Sequence, residues 1–159
     1  MAKKIALIIV ILLILIQFFR PEPNVSSAAQ PASVAAHYEV PDQVGSILKK
    51  ACMDCHSNNT RYPWYSRVQP VAWFLSYHVK DGKEELNFDE FTTYNLKKQD
   101  HKLKEVVETV EKGEMPIESY TLMHREAALS PEERQDLIRW ARNLRGQIRQ
   151  KMAVSDSRP

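Results

Sequence analysis

The only two cysteines of the 159-residue chain stand in Cys52-Met53-Asp54-Cys55-His56, three positions apart, with a histidine directly after the second. Three chemistries use this spacing: a zinc ion, a redox disulfide, or covalently attached haem. A structural zinc site takes four protein ligands, commonly two cysteine pairs or one pair with a spaced histidine pair. No second cysteine pair exists, and His37, His78, His101 and His124 lack the spacing of a metal-binding pair. A thioredoxin-like Cys-x-x-Cys opens a helix in an alternating strand and helix pattern, and nothing around Cys52 reads as a strand of such a sheet. Cys-x-x-Cys-His is, by contrast, the attachment signature of a c-type haem. Residues three and four apart share one face of a helical turn. Cys52 and Cys55 can therefore reach two vinyl groups along one porphyrin edge while His56 turns its imidazole to the iron.

His56 fills one axial position, and Met53, Met115, Met123, His78, His101 and His124 are the candidates for the other. Met53 lies inside the attachment turn and points elsewhere. Met115 stands in "KGEMPIESY", before Pro116, which holds the preceding backbone extended. A side chain on such a segment can approach the face opposite His56, so Met115 is the predicted sixth ligand. His78, in "SYHVKDG", is the alternative, and its use would remove the thioether that raises the iron potential. Trp64 and Trp73, with Tyr62, Tyr65, Phe74 and Tyr77, form an aromatic group expected to wall the haem from water.

These residues need helices to hold them, and the apolar spacing is helical throughout. Val44, Ile47, Leu48 and Ala51 recur at steps of three and four and lead straight into Cys52. "PVAWFLSYHVKDG" reads as a second helix, Asn87 with Glu90 as the start of a short one, and Leu103, Val106, Val107 and Val110 as another that ends at Gly113. The last is the best specified: Ser130 is an N-cap, Pro131 the first helical residue and Glu133 the reciprocal partner of a capping box. Leu137, Ile138, Trp140, Ala141 and Leu144 follow on its buried face. The expected class is all-α, one small domain over residues 37–150 around a single covalently attached haem, with a disordered tail over 151–159.

Upstream, Lys3 and Lys4 precede an apolar run from Ile5 to Phe19 broken only by Gln17. Its length lies between a signal-peptide core of roughly 7 to 15 residues and a membrane span of about 20. Small residues suited to a signal peptidase come only near Ser33–Ala36, so residues 1–20 read as an uncleaved signal-anchor, a transmembrane helix. The positive-inside rule then leaves the N-terminus cytoplasmic and the haem domain periplasmic, a single-pass protein of the cell membrane. Residues 21–36, "PEPNVSSAAQPASVAA", read as a Pro/Ser/Ala tether reaching about 3 Å per residue. The net charge of +2 is too small to argue for nucleic acid, and no glycine-rich phosphate loop is present.

The order of the Cys52–His56 motif after a first helix, Gly113-Glu114-Met115-Pro116, and a final helix "LSPEERQDLIRWARNL" resembles a class I cytochrome c. That resemblance implies first and last helices crossing near one haem edge, with Trp140 packed there. It also implies a carbonyl near Pro63 or Pro70 accepting the His56 Nδ1 proton. The stretch between departs from that pattern. With Tyr62-Pro63-Trp64-Tyr65, His78-Val79-x-x-Gly82 and a Met-Pro followed by Tyr and His, it resembles a bacterial family described as a haem-binding domain. The expected function is a membrane-anchored monohaem c-type cytochrome that transfers electrons between redox partner proteins, and not an enzyme. The competing expectation is a haem-based sensor or small peroxidase with an open or labile sixth position.

Overall fold

Segments with helical apolar spacing become helices in the computed structural model, which describes residues 1–156. The order is α1 (Ala2–Leu15), α2 (Val34–His37), α3 (Asp42–Ala51), α4 (Met53–His56), α5 (Val71–Glu85), α6 (Leu96–Lys112), α7 (Glu118–Met123) and α8 (Pro131–Asp156). Short 3-10 turns over Ile16–Phe18, Trp64–Arg67, Phe88–Thr93 and Arg125–Ala127 complete it, and no strand occurs among the described residues. The helical class is as expected. Asn87 caps the 3-10 turn Phe88–Thr93 by accepting the Asp89 N–H, in place of the capping box read with Glu90.

The membrane helix is corrected. α1 has 14 residues, about 21 Å at 1.5 Å per residue, against a hydrocarbon core of about 30 Å. Among the described residues no helix is long and apolar enough to cross a membrane. The apolar run was longer than the helix it forms, because the chain tightens at Ile16 and leaves helical geometry at Phe19. Gln17 then turns to the domain: its side-chain amide exchanges bonds with the Gln69 main chain (N–H to Oε1 2.9 Å, Nε2 to O 3.3 Å). The single-pass membrane location inferred from that run loses its basis.

The tether is corrected as well. Asn24 donates to the Ser57 carbonyl (2.9 Å) and accepts from Lys83 Nζ (2.7 Å), while its main-chain N–H reaches the Tyr62 hydroxyl (2.7 Å). The Ala32 carbonyl accepts both the N–H and the hydroxyl of Thr92, and Val34 is buried in the core. Residues from Asn24 onward thus wrap the domain rather than suspend it, so the folded unit begins before residue 37. At the other end α8 runs on to Asp156, with Met152 against the core, where a tail from 151 was expected. Residues 157–159 of that tail lie outside the described residues.

The core lies between α3, α6 and α8, with α6 and α8 as the main packed pair. Ile47, Leu103, Leu137 and Ile148 meet Phe88 and Phe91 from the 3-10 turn, all fully buried. The α8 capping box forms as read: Glu133 N–H donates to Ser130 Oγ (3.2 Å) and Ser130 N–H to Glu133 Oε2 (2.9 Å). Glu133 also pairs with Lys50 (2.7 Å), joining the start of α8 to the end of α3 beside the cysteines. α6 starts on the Asn95 side chain and stops at Gly113, whose φ of 73° lies in the left-handed region. Gly113→Ala is expected to cost about 1–2 kcal/mol through that φ. A melting temperature lower by about 2–4 °C per kcal/mol in a thermal denaturation scan would register it.

Candidate cofactor site

α3 delivers its last turn to Cys52, where the backbone bends (φ −126°, ψ −44°) and restarts as the single turn α4. The N–H groups of Cys55 and His56 both donate to the Cys52 carbonyl (3.1 and 3.0 Å), so the three motif side chains are held on one tight turn. His56 is fixed from behind. Its Nδ1–H is shared between the Gly82 carbonyl (2.8 Å) and the Leu86 carbonyl (3.0 Å) at the C-terminal end of α5. Both carbonyls lie at the negative end of α5, where the Gly82 carbonyl also takes the Leu86 N–H (2.9 Å). They therefore select the Nδ1–H tautomer and leave Nε2 as a free lone pair. Burial pushes the His56 pKa below its ordinary value, against the upward pull of the two carbonyls, which keeps the imidazole neutral and able to bind a metal. Phe88 packs edge-on to the ring.

α5 can come so close because residue 82 is glycine. A Cβ there would stand 2.8 Å from the Cys55 carbonyl oxygen and 3.0 Å from its Cβ. The proline carbonyls suggested by resemblance are not the acceptors; the Pro63 carbonyl instead takes the Ser66 hydroxyl and N–H.

A cavity of ≈ 460 Å³ opens in front of this turn, within the range of about 300–1,000 Å³ usual for cofactor sites. Cys52, Cys55 and His56 line it, opposite apolar residues of α6 and α8 such as Val106, Val110 and Leu137. Met115, Pro116 and Ile117 contribute a further part of the wall. Both cysteines are free thiols. Burial pushes Cys52 up to about 12, helped by Cys55, and Cys55 up to about 11, helped by Asp54. Disulfide exchange uses the thiolate, which this environment disfavours. Among the described residues no three His, Cys, Asp or Glu side chains converge so as to hold a bare metal ion. The His56 imidazole, a thioether and two protonated thiols around a mostly apolar cavity fit a large flat prosthetic group.

The other expected residues divide. His78 lines the cavity, with Nδ1–H donated to the Phe74 carbonyl (2.9 Å) and the Phe74 ring 4.1 Å away. The three tryptophans do not line it. Trp64 is 80% exposed; Trp73 is 41% exposed, with its indole N–H on the Phe19 carbonyl (2.9 Å). Trp140 is buried, but its indole N–H points to the Glu39 carbonyl (3.1 Å) on the far side of α8. Leu137, one turn earlier, holds the position at the cavity instead. Their placement as haem-packing residues is corrected: hydrophobicity marked them as packing residues without showing which face each would occupy.

Four residues beyond those singled out in the sequence shape the site: Gly82, Asp54, Arg61 and Tyr120. Asp54, between the cysteines, is 5% exposed and receives the Arg61 main-chain N–H and guanidinium (3.0–3.1 Å) and the Tyr120 hydroxyl (2.6 Å). Burial, then the bond to Asp54, pushes the Tyr120 phenol above its ordinary pKa. The Tyr120 ring stacks on His124 (4.5 Å), whose Nε2 is 2.6 Å from the Tyr65 hydroxyl. The signal for Asp54 was its charge between the two cysteines; it is the one buried residue of α4.

The chain matches the model of a family described as a haem-binding domain over residues 11–143. It belongs to that haem-binding domain family. The match takes in residues 21–36, in keeping with their place against the haem-binding domain. No curated protein and no solved structure matches the chain. Haem binding agrees with the cavity and its donors, among which His56 presents an imidazole with a bare nitrogen.

Proposed function

We propose that this haem-binding domain is a monohaem c-type electron carrier, with haem attached to Cys52 and Cys55 and its iron held by His56 and Met115. The observation that carries this is the joint lining of one cavity by both thiols, an oriented His56 and Met115. On attachment each cysteine would add its S–H across a vinyl group of the haem, forming one C–S bond and passing the hydrogen to the neighbouring carbon, with no change in electron count. The two free thiols supply the S–H groups for that addition. Bound haem supplies a one-electron ferric/ferrous couple, and redox proteins are its natural partners.

Met115 is preferred to His78 because of where the two come from. His78 sits four residues before Gly82, hence on the same face of α5, and α5 stands behind His56. Met115 comes from a separate strap that follows α6 and includes α7. Two protein ligands leave no position for a substrate, which favours a carrier over a peroxidase or sensor.

The test is chemical. Wild-type haem should remain with the denatured polypeptide, and Cys52→Ser with Cys55→Ser together should release it on acid and solvent extraction. Each single variant should retain one thioether, seen as a red shift of the pyridine haemochrome band. Release of haem from the wild type, or rapid peroxide turnover by its ferric form, would overturn the assignment.

A further inference from the structure

The strap that carries Met115 runs from Gly113 to Met123, and few of its side chains are buried; Leu122 and Met123 are largely exposed. Its start is tied to α6, where the Thr109 carbonyl accepts the N–H groups of Glu114 (2.9 Å) and Met115 (3.3 Å). Its far end is tied by the Tyr120 side chain and, one residue past Met123, by His124, whose Nε2 is 2.6 Å from the Tyr65 hydroxyl. The Tyr120 hydroxyl donates to Asp54 Oδ2 at 2.6 Å, joining the strap to the turn between the two cysteines. Asp54 stays in place without Tyr120, because the Arg61 fork holds it and the Thr60 hydroxyl bonds its carbonyl (2.6 Å). The stack on His124, itself bonded to Tyr65, sets the Tyr120 ring. The anchor is thus fixed on the attachment side and the hydroxyl is the detachable part.

We propose that Tyr120 is a positioning residue: its bond to Asp54 latches the strap closed, keeping Met115 on the iron and small ligands out. This rests on Met115 being the sixth ligand. Swinging the strap away breaks a short bond to a buried carboxylate, so the latch shifts the open fraction by roughly 10- to 100-fold.

The experiment uses the full haem-loaded chain with imidazole as the probe for the ferric form and carbon monoxide for the ferrous form. Tyr120→Phe keeps the ring and its stack and removes only the hydroxyl. It should raise imidazole affinity by about 10- to 100-fold, speed carbon monoxide binding and weaken the long-wavelength thioether-to-iron band, each measured per bound haem. Asp54→Asn, which keeps an acceptor of lower charge, should show a smaller change in the same direction. Wild-type imidazole affinity and a full thioether band in Tyr120→Phe, beside tight imidazole binding by Met115→Ala, would overturn the latch alone. A lowered melting temperature in Tyr120→Phe with unchanged imidazole binding would reduce Tyr120 to a structural residue and equally overturn it. If Met115→Ala itself leaves band and affinity unchanged, the Met115 assignment fails and the latch falls with it.

Discussion

Gly82→Ala is expected to reduce haem incorporation to a small fraction of wild type. Alanine in a helix interior normally gains about 1 kcal/mol over glycine, so the sign depends on what the new methyl meets. At residue 82 it meets the α4 turn: the Cys55 carbonyl oxygen at 2.8 Å, its Cβ at 3.0 Å and its carbonyl carbon at 3.2 Å. Two of these are backbone atoms, which cannot swing aside as a long side chain would. Overpacking of this kind costs about 1–3 kcal/mol, enough to cancel or exceed the gain in propensity. Relief requires α5 to move off α4, and the same movement lengthens both carbonyl bonds that orient His56. The variant thus loses haem out of proportion to its loss of stability. Gly45 and Gly146 are internal controls, since an added Cβ meets only Val40 at 3.9 Å or nothing within 4 Å. Gly45→Ala and Gly146→Ala should load haem fully and melt at or above the wild-type temperature. Haem absorbance per polypeptide together with thermal melting decides it: full loading of Gly82→Ala would refute the close-approach argument.

Local chemistry was readable from the sequence, and long-range placement was not. The Cys52–His56 motif and the Ser130–Glu133 capping box depend on residues within one or two turns, so their spacing carries their geometry. Met115 was legible as a cavity residue because Gly113 and Pro116 bracket a non-helical segment. The aromatic group was misread because an apolar side chain marks a preference for burial, not the face it will find; Trp64 and Trp73 end near the surface. Residues 21–36 have the composition of a linker, yet Asn24 finds partners at Ser57, Thr60 and Lys83 that no local pattern could announce. Gly82 was visible as the end of "HVKDG" but not as a spacer, since its reason lies 27 positions away at Cys55.

Met115→Ala is the second large effect, and its interest is the separation of stability from electronics. Met115 is 37% exposed, so truncation should cost well under the roughly 2–5 kcal/mol of a fully buried methionine. A core methionine with no iron contact would leave the haem spectrum unchanged. A ligand would not: the thioether band should vanish, the ferric iron should take up imidazole, and the reduction potential should fall. The fall is expected to be a sizeable part of the roughly 0.8 V that axial ligands span across haem proteins, because the thioether raises the potential. Met115→His should restore a six-coordinate, low-spin haem at a lower potential than wild type. His78→Ala should leave band and potential untouched, since His78 belongs to α5, the helix whose end carbonyls hold His56. A redox titration of the three variants separates the candidates: a potential that moves with His78 and not with Met115 would transfer the sixth position to α5.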